Sequence, residues 1–362
     1  MRPGDWSSDV CSSDLSFVIP VYNRPDETDE LLESLAQQTL RDFEVLVVED
    51  GSQITCQQVV QKHAAQMPIK YFCKPNSGPG QTRNYGAERS QGEYLIFLDS
   101  DCVLPPGYLE AVEKELSASP CDAFGGPDRS HPSFTPVQKA ISYSMTSFFT
   151  TGGIRGGKKK LDKFYPRSFN MGISASLYRK LGGFSKMRFG EDIDLSIRIF
   201  QSGARCRLFP QAWVWHKRRT DLRKFFRQVH NSGIARINLY KKYPSSLKLV
   251  HLLPALFTLG MGFLLLMMVV GLPLGLLSHS ARWGMIGWEM FFLSLLFPVL
   301  YSLLICADST GENHSLRVGM LSVMASFVQL IGYGTGFLRA WWLRCVWGRN
   351  EEMQAFRETF YK

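Results

Sequence analysis

Leu252 to Leu277 is a run of 26 residues without one charged side chain. A bilayer core about 30 Å thick is crossed by roughly 20 apolar residues in helical form. Backbone polar groups in hydrocarbon must pair within their own segment, so a lone run of this kind is restricted to a helix. Trp283 to Ala307 carries only Glu289, and Val318 to Leu338 carries no charge. The pattern predicts two to three transmembrane helices over residues 249–343, with a tail at 344–362.

The stretch before these runs is basic. Residues 217–248 hold ten Lys or Arg and one acid, Asp221, with Phe225, Phe226, Val229, Ile234 and Ile237 between them. That composition suits an amphipathic interfacial segment on anionic lipid. It also places the preceding domain on the cytoplasmic side of a membrane. Three full spans would leave the C-terminus on the far side, whereas Arg339, Arg344 and Arg349 favour the near side. The spacing therefore leaves two or three full spans open. The net charge of +9 suits a phosphate-bearing partner. Membrane lipids and a nucleotide fit better than nucleic acid, because apolar runs follow directly.

Other bulk features narrow the class. Eight cysteines include no CxxC pair and no zinc-type Cys/His cluster, which predicts reduced thiols and no disulfide framework. Residues 1–15, MRPGDWSSDVCSSDL, show neither periodicity nor the apolar core of a signal peptide. They read like translated sequencing-adapter sequence, a non-native segment set aside from the fold.

From residue 16 the pattern changes to alternating strands and helices. Phe17–Val21, Phe43–Val48, Ile69–Phe72 and Tyr94–Leu98 are short apolar runs. Helical patterns separate them, one opening near Pro25 and one from Gln81 to Ser90 after a Gly-Pro-Gly turn. This is the signature of an α/β domain with a mostly parallel sheet. Its ligands are expected beyond the carboxyl ends of the strands. Phe169–Ala175, Arg205–Phe209 and Ala212–Trp215 are further strand candidates, and Glu191–Gln201 a helix. Residues 152–160, with four glycines and three lysines, predict a mobile loop.

The acids fall at strand ends. Asp99-Ser100-Asp101 follows an apolar strand. In extended chain, residues two apart point the same way, so both carboxylates could face one cation. Hard oxygen ligands suit Mg²⁺ or Mn²⁺. Asp50 ends another strand, ahead of Gly51-Ser52, and its carboxylate could meet a nucleobase or ribose. Arg83 follows the Gly-Pro-Gly turn and could reach a phosphate. Glu191, Asp192 and Asp194 crowd a helix N-terminus, which the helix dipole alone would favour. His216 ends a strand, and imidazole is a fit ligand for Mn²⁺.

Five motifs in this order resemble glycosyltransferase family 2: Pro20-Val21-Tyr22-Asn23-Arg24, Glu49-Asp50-Gly51-Ser52, Arg83-Asn84-Tyr85-Gly86, Asp99-Ser100-Asp101 and Gly190-Glu191-Asp192-Ile193-Asp194. The resemblance covers residues 16–216 and implies a GT-A catalytic domain that inverts the anomeric centre. It implies that Asp50 contacts the nucleoside and that Asp192 is the general base. Asp99 and Asp101 would hold the metal–diphosphate, with His216 as a further metal ligand. Pro20, Tyr22, Asn23, Glu49, Arg83, Asn84, Asn170 and Glu191 would line the substrate site. Glu49 departs from the family's usual aspartate. The Gln-x-x-Arg-Trp motif of processive synthases is absent, which implies one sugar per encounter. The helical C-terminal region, including Gly332-Tyr333-Gly334-Thr335-Gly336-Phe337, is similar to that of bacterial members making envelope polysaccharides.

The resulting expectation is an inverting, non-processive transferase in a bacterial inner membrane. Its donor would be a nucleotide diphosphate sugar, by default UDP-linked, and its acceptor a lipid-linked or envelope glycan. A nucleotidyltransferase of similar sheet is one rival, though it needs a glycine-rich signature where this chain has Asn23-Arg24-Pro25. A non-catalytic membrane scaffold is the other. Its three apolar runs would offer only Glu289, with Arg339 at the end of the last, as charged residues, a poor lining for an ion path.

Overall fold

A computed structural model describes residues 15–151, 165–217 and 220–349. Expectations for residues 1–14 and for the loop at 152–160 lie outside the described residues. In chain order the elements begin with β1 (Leu15–Val21), α1 (Pro25–Ala36), β2 (Phe43–Asp50), α2 (Gln57–His63), β3 (Ile69–Lys74) and α3 (Pro79–Ala87). There follow β4 (Tyr94–Leu98), β5 (Cys102–Val103), α4 (Tyr108–Ala118), β6 (Ala123–Gly125) and β7 (Asp128–Arg129). Next come α5 (Pro136–Thr146), α6 (Phe148–Thr151), β8 (Asn170–Ser174), α7 (Ala175–Leu181), α8 (Glu191–Gln201), β9 (Cys206–Leu208) and β10 (Val214–His216). Four long helices close the chain: α9 (Leu222–Lys242), α10 (Leu253–Leu277), α11 (Ala281–Asn313) and α12 (Leu316–Trp341).

The chain divides into two compact units. The first runs to His131 and resumes over Asp162–Lys217; the second holds Pro132–Leu161 and Arg218–Glu351. Helices α5 and α6, inside the 16–216 stretch assigned to the catalytic domain from sequence, thus belong to the helical unit.

In the first unit a seven-stranded sheet has the order β3-β2-β1-β4-β8-β6-β9. β1 pairs in parallel with β2 and β4, and β2 with β3, while β8 runs antiparallel to both β4 and β6. Side chains alternate across the sheet. Phe17, Ile19, Val45, Val47, Ile96 and Leu98 bury against α1 and α4 on one face. Val18, Leu46, Leu95, Phe97, Met171 and Ile173 bury against α7 and α8 on the other. Both faces are covered, which is why these strands read as unbroken apolar runs. A second, three-stranded sheet has the order β5-β10-β7.

The second unit is built around α12. Its Gly332 and Gly336 face α9, and α9 presents Gly233 in return. A Cβ at Gly336 would lie 2.0 Å from the His230 carbonyl oxygen, and one at Gly233 2.2 Å from that of Tyr333. Only glycines permit this approach. Phe225 and Val229 of α9 bury with Ala140 and Ile141 of α5 and Ala325 of α12. The apolar face of the basic segment is therefore covered by protein. Arg223, Lys224, Arg227, Lys241 and Lys242 point outward.

Leu249–Leu277, Ala281–Asn313 and Leu316–Val346 are each long and apolar enough to cross a membrane. Leu256, Phe263 and Leu266 of α10 and Phe292, Leu296 and Leu303 of α11 are exposed. A surface of this kind suits hydrocarbon, where helix contacts rest on close packing of small residues.

Candidate active site

All the site residues expected from sequence lie in the first unit, at the carboxyl ends of β1, β2 and β4 and on α3, α8, β8 and β10. After β1 the chain turns through Asn23, whose φ is 53°. The Asn23 Oδ1 accepts the amides of Gln53 and Ile54 at 2.7 and 3.0 Å, and its own amide donates to Ser52 Oγ at 3.0 Å. Asn23 thereby shapes the loop after β2. Glu49 supports the same loop, accepting the Cys56 amide at 2.6 Å and the Ser52 hydroxyl. Pro20 and Tyr22 are half-buried beside it.

Asp50 is fully buried, and its carboxylate takes the amides of Ser77 and Gly78, both at 2.8 Å, and the Lys74 ammonium. These bonds hold the turn ahead of α3, where Gly78 has φ 90°. Beside the turn is a cleft of about 360 Å³ lined by Ser77, Gly78, Gly80, Gln81, Ser185, Lys186 and Met187. Gly80 lets α3 approach the segment before α8 closely: a Cβ there would sit 3.2 Å from Glu191 Cγ and 3.3 Å from the Ser185 carbonyl oxygen.

Arg83 lies behind the cleft, with 4% of its side chain exposed. It donates to Asp99 Oδ1 at 2.5 Å and to Glu191 Oε1 at 3.3 Å. Burial disfavours its charge, but Asp99 and Glu191 outweigh that and raise its pKa above the ordinary value. Burial, with the neighbouring Asp192, pushes the Glu191 carboxyl up to about 7, against the pull of Arg83. α8 starts at Gly190, in the left-handed region at φ 84°. Asp192 keeps 18% of its side chain exposed; its Oδ1 accepts the Ile193 amide at 2.8 Å and its Oδ2 is 3.5 Å from Arg167.

The strand ends at Leu98, and the next residues turn instead of continuing extended. The Cys102 amide donates to the Asp99 carbonyl at 3.0 Å. The chain is therefore not extended across the triplet, yet both aspartates act on Arg24 and Cys102. Asp99 goes to Arg83. Asp101 meets Arg24 at 2.6 Å through Oδ2 and His216 Nε2 at 3.2 Å through Oδ1. The partner strand explains the second contact: β10 runs antiparallel to β5, with His216 opposite Cys102. The His216 ring stacks on Phe169 at 4.8 Å, which fixes its plane.

Asp101, Cys102 and His216 form a group whose ligand atoms lie within 4.8 Å of one another. Asp99 is not in it. Burial, helped by Asp101 and Asp99, raises the Cys102 thiol well above its ordinary pKa. The carboxylate and the imidazole of this group are donors that fit Mg²⁺ or Mn²⁺.

Two expected substrate residues are spent elsewhere. The Asn84 Oδ1 accepts the Tyr178 hydroxyl at 2.5 Å and the Phe184 amide at 2.8 Å, tying α3 to the segment before α8. Asn170 is fully buried, accepting from the Tyr108 hydroxyl at 2.7 Å and donating to the Ala212 carbonyl at 2.8 Å. Both position backbone. Arg24 belongs to the Pro20–Arg24 motif but was not among the expected site residues; its ion pair with Asp101 joins positions 77 apart in the chain.

Residues 16–182 match the family described as glycosyl transferase family 2. An uncharacterized glycosyltransferase of Haemophilus influenzae is 30% identical over 195 residues, covering 52% of this chain and 62% of that protein. The validoxylamine A glucosyltransferase of Streptomyces hygroscopicus subsp. jinggangensis is 26% identical over 67% of this chain and 63% of its own length. This chain thus spans less than two thirds of either relative. A mannosyltransferase from Pyrobaculum calidifontis, PcManGT, solved with GDP-Man and Mn²⁺, has the same fold at a TM-score of 0.55 and 14% identity, covering 91% of this chain and 88% of that one. The first unit accordingly has the GT-A fold, and its residues 16–182 form a domain that matches glycosyl transferase family 2.

Proposed function

We propose that the protein moves one sugar per encounter from a nucleotide diphosphate donor to an acceptor hydroxyl, inverting the anomeric centre. UDP is the default nucleotide, and a lipid-linked or envelope glycan is the acceptor class. The observation that carries the reading is the pairing, around one strand end, of a hard-cation donor set with an acid-rich helix start. Asp101 and His216 provide the first; Glu191 and Asp192 the second. Arg83 links them through Asp99 and Glu191.

Asp101 and His216 would hold the cation, with Asp99 close behind; when bound, that cation supplies positive charge for the departing diphosphate. Asp50, through the turn it braces, shapes the cleft at Ser77–Gln81 for the nucleoside. Asp192, the more exposed of the paired acids, takes the proton of the acceptor hydroxyl as that oxygen attacks the anomeric carbon. The bond to the nucleoside diphosphate breaks on the opposite face. Glu191 and Arg83 keep Asp192 and Asp99 in register. The apolar helices suit an acceptor carried on a lipid, and the basic outer face of α9 suits anionic headgroups. The basic segment before the helices supports a cytoplasmic orientation of the catalytic unit at a bacterial inner membrane.

The test is a screen of nucleotide sugars for Mn²⁺-dependent release of the nucleoside diphosphate by the full chain in detergent. We expect release from one donor class, lost in Asp101→Ala. Release of pyrophosphate would instead identify a nucleotidyltransferase, and no nucleotide turnover with any donor would favour the scaffold reading.

A further inference from the structure

We propose that Arg24 is the exchangeable counter-ion of Asp101, and that it competes with a divalent cation for the same carboxylate. This rests on the reading of Asp101 and His216 as cation ligands. Two arginines guard the two aspartates of the triplet, and their surroundings differ. Arg83 is locked: only 4% of its side chain is exposed, it serves two carboxylates, and it packs 5.3 Å from the Phe184 ring centroid. Arg24 is not locked in this way. Its side chain is 31% exposed, against 14% for Asp101, and its guanidinium meets Asp101 through a single nitrogen at 2.6 Å. Its backbone is held independently, because the Arg24 carbonyl accepts the Thr28 amide at 3.1 Å and the Thr28 hydroxyl at 2.7 Å. The side chain can therefore swing to solvent while the start of α1 stays fixed.

The charges make the exchange necessary. A guanidinium and a divalent ion on the Asp101 carboxylate bring three positive charges together, with Asp99 the neighbouring acid that Arg24 also feels, and at a few ångströms the repulsion between the two cations is large even with partial solvent screening. A cation shared with His216 would take Asp101 on its Oδ1 side while Arg24 holds Oδ2, so both positive charges would lie on one small carboxylate. A diphosphate arriving with the cation would give the displaced guanidinium a new anionic partner. Cation and donor would then bind cooperatively, and each would favour the other equally. A cation alone would bind weakly, which keeps the site from being filled without donor.

Manganese binding to the full-length protein in detergent, read from the loss of the free-ion signal in electron paramagnetic resonance, tests this without any turnover. Arg24→Gln removes the competing charge and is expected to tighten Mn²⁺ binding by about tenfold or more. Arg24→Lys keeps the charge and is expected to stay within about threefold of wild type. Arg24→Gln binding no tighter than wild type would overturn the proposal, as would Arg24→Lys tightening as much as Arg24→Gln. Folded wild-type protein that takes up no Mn²⁺ at millimolar concentration would defeat the underlying cation site, a different failure.

Discussion

Replacing Asp192 by asparagine separates base catalysis from everything else this helix start does. The side chains are isosteric, and asparagine keeps an Oδ1 to accept the Ile193 amide now held at 2.8 Å. The Arg167 contact, at 3.5 Å, is long and partly exposed, so its loss costs little. One acid fewer near the N-terminus of α8 forgoes roughly 0.3–1 kcal/mol of helix-dipole stabilisation. Relief of the repulsion with Glu191 offsets part of that, so folding stability should change by less than about 1 kcal/mol. Catalysis should change far more, because the variant cannot accept a proton. A positioned base contributes about 10²–10⁴-fold, which at about 1.4 kcal/mol per decade is roughly 3–5 kcal/mol of barrier. The assay is transfer from a labelled nucleotide sugar, with thermal unfolding and Mn²⁺-dependent nucleoside diphosphate binding measured in parallel. We expect turnover to fall by about 10²–10⁴-fold, with unfolding and binding unchanged. Turnover within a few-fold of wild type would remove Asp192 from the base role, and loss of nucleotide binding would assign it to the donor site instead.

The pH dependence of stability follows from Glu191. Its folded pKa is raised to about 7 by burial and by Asp192, so between its ordinary value of 4.5 and about 7 the folded state binds more protons than the unfolded one. Stability contributed by the protonated form is present at low pH and is lost as pH rises through that window. Glu191→Gln should flatten this slope, and a thermal-unfolding series from pH 5 to about 8 that kept the wild-type slope would contradict it. Gly126→Ala should be severe. Its Cβ would fall 1.7 Å from the Ala212 carbonyl oxygen and 2.3 Å from Asn170 Nδ2, which forces apart the strands that carry Asn170 and β10. We expect a loss of several kcal/mol, read as loss of folded protein after detergent extraction, and normal yield with wild-type melting would show that this approach is not tight.

The order of elements and the class of chemistry were readable from the chain alone because they depend on local periodicity. A strand covered on both faces must be apolar throughout, so Phe17–Val21, Phe43–Val48 and Tyr94–Leu98 announced themselves, and the long apolar runs read as helices able to cross a membrane. The acids at strand ends followed from the same logic. Three matters needed the folded molecule. Asp99 and Asp101 take different arginine partners across the turn after Leu98, and a triplet of residue types does not encode its own dihedral angles. Asn84, Asn170 and Asp50 proved to brace backbone, since which donors surround a polar side chain depends on segments 24 to 100 residues away. The apolar stripe of α9 met α12 at Gly233, Gly332 and Gly336, where periodicity predicts that a face is buried and cannot name what buries it. Arg24 acquired a partner only when β1 and β4 were laid side by side. Local pattern determines which surface of an element seeks cover; long-range pairing decides what covers it, and the site is made entirely of such pairings.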